Sequence, residues 1–358
     1  MAPNWTPVPH TQPESRWVVD ISRPFSEGGF GIVYRGRDKG ETGEEAPKDC
    51  AAKKLGLATQ QEIENFQKER AMLQRVGGHE SIIELYGSVE APEAATGWLF
   101  LEMATGGELF DRLTDSGRLS ERAAWPFVSR LAKAVAHMFS RGLVHRDLKL
   151  ENIMLHAADP NAVKVIDFGL AMELEIGEDG HLIERAVADA AGTAAYRAPE
   201  VYHQPSYSPL KLDVWAMGIV TFSLVSGFFP VEEAKDTDRR FRKLAADQRE
   251  GIGVCESTFK TYKQQHLNTF SPALKSLIDG MLTIDYTTRL SVKDVEGHPW
   301  ITNEPAGTVD AAYEGDQPVY RGVSGGGDEL LEDFQIPEDA VPLSRQKAER
   351  LVVNMELR

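Results

Sequence analysis

The chain has 358 residues, with 39 basic and 55 acidic side chains and a formal net charge of -16, a length suited to two domains or one large two-lobed one. Its 42% hydrophobic, 26% charged and 8% aromatic residues are ordinary globular usage and exclude a collagenous, low-complexity or fully disordered chain. The acidic balance disfavours non-specific attraction to nucleic acid or anionic lipid and favours cationic partners.

In chain order, the N-terminus MAPNWTPVPHTQPESRW has neither the basic start nor the apolar core of a secretory leader, and Ala2 in place of glycine removes a myristoylation signal. Four prolines within the first 13 residues read as a flexible arm over 1–16, with ordered structure expected from Trp17. Residues 31–37 and 49–55 read as two strands joined by the polar loop DKGETGEEAPK, a β-rich start. Thr59 and Glu62 form a capping box, and Ile63, Phe66, Leu73 and Val76 continue at helical spacing. Residues 82–91 and 97–103 read as a further strand pair. Ala124, Phe127, Val128, Leu131, Val135 and Met138 then make a long helical stripe closed by Gly142, with a kink expected at Pro126. Later helices are predicted over 213–226 and from the Ser271–Pro272 start. No run of about 18 apolar residues is evident, so no membrane span is expected. Cys50 and Cys255 are too few for a disulfide framework or a cysteine-built zinc site and fit a reducing compartment, cytoplasmic or nuclear.

The organisation expected is a small β-rich lobe followed by a mostly helical one, then a linker over 302–339 that carries ten acids against the single Arg321. Residues 340–358 place Ala348, Leu351, Val352 and Met355 on one face, with Arg345, Lys347 and Arg350 nearby, as a basic amphipathic helix candidate.

Candidate chemistry begins at Ser26–Val33, a glycine-rich turn entering a strand. Gly28, Gly29 and Gly31 would let backbone N–H groups approach phosphate oxygens, although a plain hairpin turn reads the same way. Strand alternation puts Ala51 and Lys53 on one face, opposite to Cys50, Ala52 and Lys54. Glu69 lies on the apolar stripe of the following helix, where an unpaired carboxylate is costly, and Lys53 is an available partner; the alternative is that Glu69 reaches water at the stripe's edge.

The runs Val144–Asn152 (VHRDLKLEN) and Val163–Gly169 (VKVIDFG) decide between these alternatives. With the glycine loop, Lys53, Glu69, the APE at 198–200, Asp213–Gly218 and Arg289, they occur in the order of the eukaryotic protein kinases, which the chain resembles over roughly 17–301. The resemblance implies an α+β, two-lobed kinase fold, with a small lobe over 17–104 and a large one over 105–301, and ATP with Mg²⁺ in the cleft. It implies that Lys53, fixed by Glu69, holds the α/β-phosphates, that Asn152 and Asp167 bind Mg²⁺, that Asp147 accepts the hydroxyl proton and that Lys149 neutralises the moving phosphoryl group. It further implies an adenine hinge at Glu102, Met103 and Ala104, with Leu101 as gatekeeper and Val33, Ala51 and Met154 around the base.

Lys149 followed by Leu-Glu-Asn, together with Thr193, resembles the serine/threonine branch. Gly106–Asp111 (GGELFD) resembles the calcium/calmodulin-dependent group, in which glutamates matching Glu108 and Glu151 favour arginine upstream of the target hydroxyl; alternatively Glu108 contacts only ribose or solvent. Three features depart from the family pattern. Ser26 replaces the first loop glycine, Ala194 stands where proline is common, and the Tyr-Arg-Ala-Pro-Glu at 196–200 resembles the cyclin-dependent group. Between Asp167 and Gly192 there is no serine, threonine or tyrosine. The resemblance puts Asp189 where many such kinases carry a phosphorylated threonine, and implies that it pairs with Arg146 as a fixed charge in place of a phosphate; otherwise it is a solvated loop acid. The 340–358 segment weakly resembles an autoinhibitory or calmodulin-binding tail, which makes a calmodulin-like regulator a candidate partner; docking onto the large lobe is the alternative. The activity expected is phosphorylation of protein serine or threonine, and the rival is a catalytically silent pseudokinase scaffold.

Overall fold

The computed structural model describes residues 3–8, 16–28, 31–40, 47–178, 182–262 and 269–306. Gly29, the 307–339 part of the expected linker and the 340–358 helix candidate lie outside them.

The small lobe is a six-stranded antiparallel sheet in the order β1-β2-β3-β4-β6-β5, with β1 Thr6–Pro7, β2 Trp17–Gly28, β3 Gly31–Asp38, β4 Lys48–Gly56, β5 Leu85–Ala91 and β6 Thr96–Leu101. The expected start at Trp17 is corrected by β1. Thr6 and Pro7 pair with Val19 and Val18, the Thr6 hydroxyl donates to the Val19 carbonyl at 3.0 Å, and Val8 is buried. Pro7 has no N–H to contribute, which suits it to the edge position that β1 occupies. Trp17, Val19, Cys50, Ala52, Trp98 and Phe100 form a small separate core on the same side, and Trp17 stacks on Phe100 with centroids 4.1 Å apart. The register of β2 shifts on either side of Pro24, where a missing donor is tolerated only at such an irregularity.

Helix α1, Gln60–Val76, begins at the predicted capping box, with Thr59 and Glu62 exchanging side-chain and backbone bonds. It buries Phe66, Glu69, Met72, Leu73 and Val76. Phe66 lies so close under the sheet that a side chain at Gly97 would meet its ring at 2.6 Å.

The large lobe contains α2 Leu109–Ser116 and α3 Glu121–Ser140, then the short strands β7 Leu143–Val144, β8 Ile153–His156, β9 Asp159–Val165 and β10 Met172–Glu173. It continues with α4 Glu200–His203, α5 Leu212–Ser226, α6 Arg239–Arg249, α7 Val254–Tyr262, α8 Pro272–Met281, α9 Val292–Glu296 and α10 Pro299–Thr302. Helix α3 is assigned continuously through Pro126, and Gly142 just beyond it takes φ +72°, as a C′ glycine does. Ser271 caps α8 with Pro272 in its first turn. Residues Pro209–Ser226 are long and apolar enough to cross a membrane by composition, contrary to the expectation from sequence; all fifteen residues of α5 are buried, and the helix belongs to the large-lobe core. That core is continuous from α1 to α10 and ties the lobes together. Cys50 and Cys255 are both buried and unbridged.

Candidate active site

Strand register assembles the upper wall. Val33 pairs with Lys53, Lys53 with Leu99, and Ala51 with Leu101, and directly opposed residues share a face. Val33, Ala51, Lys53 and Leu101 therefore line one side of the sheet, as expected. Above them β2 and β3 pair as far as Gly28 and Gly31, with Ser26 opposite Val33. Gly31 has φ +117°, and a side chain there would meet the Lys54 carbonyl oxygen at 2.5 Å, so the turn requires glycine at this point.

Lys53 reaches from the sheet to two elements. Its Nζ donates to Glu69 Oε1 on α1 at 2.6 Å and to Asp167 Oδ1 at 3.0 Å. This settles the Glu69 alternative, since that carboxylate is buried and paired. Burial opposes the ammonium charge, but the Glu69 and Asp167 carboxylates outweigh it and raise the Lys53 pKa. Burial also works against the charge of Asp167, and Lys53 reverses it, so that this carboxyl sits below its ordinary value. Asp167 has φ +63°, a conformation that non-glycine residues adopt rarely. Phe168 behind it is buried against His145, with ring centroids 5.0 Å apart.

A second cluster surrounds Asp147. Its Oδ1 accepts from both the N–H and the hydroxyl of Thr193 at 2.8 Å. Its Oδ2 lies 2.9 Å from Lys149 Nζ and 3.1 Å from Asn152 Nδ2. Lys149 Nζ also donates to the Thr193 hydroxyl at 2.8 Å. The hairpin of β8 and β9 ties this cluster to the first, since the Ile166 N–H donates to the Asn152 carbonyl at 2.9 Å. Asp213, at the start of α5, accepts from the N–H groups of His145 and Arg146 at 2.7 and 2.9 Å, and Arg146 has φ +68°. A buried carboxylate thus pins the turn that aims Asp147.

The Arg146 guanidinium bonds to Asp189, the pairing anticipated from sequence, and also reaches Met172 Sδ at 3.5 Å. Lys68 on α1 stands close enough that its pKa is lowered, first by burial and then by Arg146. At the lower edge Glu108 precedes α2 and bridges to Met154, while Glu151 accepts from the Tyr196 hydroxyl at 3.2 Å.

Several functional contacts escaped the sequence reading. Glu102 is tied down from two sides, its carboxylate pairing with Lys164 at 2.8 Å and its N–H donating to the Glu84 carbonyl at 2.8 Å. Arg289 is held in a two-pronged bond to Glu200, at 2.7 and 2.8 Å, and locks the end of the segment that begins at Asp167. The pairing of an arginine 89 residues downstream has no local signal.

The donor set suits Mg²⁺ with a nucleotide. Among the described residues no group of three or more His, Cys, Asp or Glu could form an all-protein cage. One carboxylate and one amide near a buried lysine match a cation that takes few protein ligands and completes its shell with phosphate and water.

Comparison with known proteins agrees with this geometry. Residues 20–301 match the family described as protein kinase domain. The chain is 32% identical over 293 residues to calcium/calmodulin-dependent protein kinase type IV of Mus musculus, covering 81% of this chain and 56% of the relative. It is 32% identical over 284 residues to calcium-dependent protein kinase 33 of Arabidopsis thaliana, covering 78% and 49%. It is 32% identical over 285 residues to calcium/calmodulin-dependent protein kinase type II of Caenorhabditis briggsae, covering 79% and 49%. The chain thus spans about half the length of these relatives.

Proposed function

The chain belongs to the protein kinase family, among the serine/threonine kinases of the calcium/calmodulin-dependent type, and from that premise we propose that it transfers the γ-phosphate of ATP to serine or threonine hydroxyls of proteins. The observation that carries this reading is Lys53, buried and bonded to both Glu69 and Asp167, a cation held where nucleotide phosphates would need one. In this reading Lys53 holds the α/β-phosphates, Asp167 and Asn152 hold Mg²⁺, and Glu102, Met103 and Ala104 receive the adenine. Magnesium-bound ATP supplies the electrophilic phosphorus and a stabilised leaving group.

The residues of the chain do the rest. Asp147 positions the substrate hydroxyl and takes its proton, and the Thr193 bonds to Oδ1 leave Oδ2 directed to Lys149 and Asn152. Lys149 offers its ammonium to the charge on the moving phosphoryl group. Glu108 and Glu151 draw an arginine of the substrate to the cleft. Asp189, bonded to Arg146, orders the segment without prior phosphorylation, and the cytoplasm is its place of action. The 340–358 segment is the part on which a calmodulin-like regulator would act.

The test is transfer from labelled ATP and Mg²⁺ to a degenerate serine/threonine peptide library, with Asp167→Ala and Asp147→Asn as controls. Transfer that drops by about 10³-fold or more in both variants is expected. Silence from folded, nucleotide-binding protein would favour the pseudokinase scaffold.

A further inference from the structure

We propose that the groove between α4, α6 and the turn after α8 seats an acidic segment of this same chain, residues 328–334, and that Arg242 and Arg249 draw it there. The seat stands apart from the phosphotransfer reading, and its test needs no catalysis.

Helix α6, RRFRKLAADQR, carries five cations against the single Asp247 in a chain whose net charge is -16. Part of that charge is spent locally, Arg240 on Glu232 at 2.7 Å and Lys243 on Asp247. Arg242 and Arg249 are exposed, and Arg242 donates to backbone, the Asp236 carbonyl at 2.8 Å. Seven residues apart, the two lie on nearly the same side of the helix.

Beside them is a groove of about 590 Å³, lined by Phe241, Ala245 and Arg249 of α6 and, opposite, by Ile284 and Tyr286. Gln248 fastens the two walls together, donating to the Leu282 carbonyl at 2.8 Å and accepting from the Ile284 N–H at 2.9 Å, so the groove is a fixed feature of the lobe. Of the acids on its border, Glu200 is spent on Arg289, Asp285 accepts from the Thr287 N–H and hydroxyl at 2.9 and 2.7 Å, and Asp236 faces His203 at 3.7 Å. His203 in turn stacks on Phe241. The groove thus offers apolar and aromatic surface with cations at its rim.

Residues 328–334, DELLEDF, have the complementary pattern, with Asp328, Glu329, Glu332 and Asp333 around Leu330, Leu331 and Phe334. About 25 residues link them to α10, which ends at Thr302, a tether of about 85 Å when extended. A lobe of some 200 residues is only about 45 Å across, so the segment can reach the groove. Tethering holds it there at about millimolar effective concentration, at which a few surface ion pairs and three apolar anchors suffice to seat it. The basic 340–358 segment then starts from a fixed point on the large lobe.

The experiment places p-benzoylphenylalanine at position 334 of the full chain, in place of Phe334, and maps by mass the crosslinks formed on irradiation. Crosslinks within one molecule to α6 or to Ile284 and Tyr286 are expected. Arg242→Glu combined with Arg249→Glu is expected to lower their yield by about fivefold or more, and Leu330→Ser combined with Leu331→Ser by about as much. If the arginine variant does not fold, salt decides: raising NaCl from about 0.05 to 0.5 M in the parent is expected to cut the yield about threefold, and an unchanged yield overturns the proposal. Crosslinks between two molecules would assign the groove to a second copy, and groove crosslinks from the same probe at Leu351 but not at position 334 would assign it to 340–358; either overturns the proposal. A folded arginine variant with the parent's yield overturns it as well, as does the lack of any crosslink in the groove, which leaves the groove to another protein.

Discussion

Two carboxylate–cation contacts define the site, and they are built in opposite ways. In the Lys53–Glu69 pair the side chains are 8% and 4% exposed, whereas in the Arg146–Asp189 pair the arginine is 8% exposed and the aspartate 57%. Where both charges are out of water neither can be removed without stranding the other, so the contact is costly to break and holds α1 against the sheet. Where one partner stands in water the net gain is small and screened by salt. Such a contact costs little to make or lose by itself, and any larger effect of losing it must come through the segment that carries Asp189.

The largest effect belongs to the fully buried extreme of this comparison, Arg289 with Glu200, whose side chains are 0% and 1% exposed. Arg289→Met strands the Glu200 carboxylate and is expected to lower stability by about 3–5 kcal/mol, read from denaturant midpoints. A shift below about 1 kcal/mol would mean that water reaches the pair and would blur the contrast. The smallest effect lies where α1 meets α3, with the His79 and His137 rings 4.9 Å apart. Burial, and then His137, lower the His79 pKa from 6.5. The folded state therefore binds this proton less readily than the unfolded chain, and the stability His79 contributes is present above about pH 6.5 and fades as the pH falls through it. His79 Nδ1 also accepts from the Ser81 N–H at 3.1 Å, a bond that asparagine can imitate. His79→Asn is expected to lose about 1 °C less in melting temperature between about pH 7.5 and 5.5 than the parent. Equal slopes would assign the acid sensitivity elsewhere.

Much of this was legible in the sequence because kinase chemistry demands particular residue types in a fixed order, and because α1 and α8 carry their caps in plain view at Thr59 and Ser271. Lys53 with Glu69 could be read from a carboxylate on an apolar stripe, and Arg146 with Asp189 from the resemblance, which puts an acid where such kinases carry a phosphorylated threonine. Contacts that depend on backbone direction could not be read. The left-handed turn at Arg146 occurs at a residue with no preference for it, and the one at Asp167 at a residue that tolerates it without requiring it; Asp213 and Lys53 bond to the chain at these two places. Arg197 gives no clue in sequence to its bonds to the Ala191 and Gly192 carbonyls. The strand at Thr6–Pro7 hid for the opposite reason: its prolines argue against structure, and only the open edge of β2 supplies a partner.

The central claim is that the cleft is complete without phosphate on the loop. The most direct measurement is the rate of transfer by protein shown phosphate-free by mass, from the first turnover, for the parent chain and for Asp189→Ala at low and high salt. The account predicts a parent rate with no lag and no gain on prior incubation with ATP, and a loss of about tenfold or more in the variant, with a parent rate that falls as salt screens the Asp189 charge. A parent protein that is silent until it acquires phosphate, or a variant as fast as the parent, would contradict it.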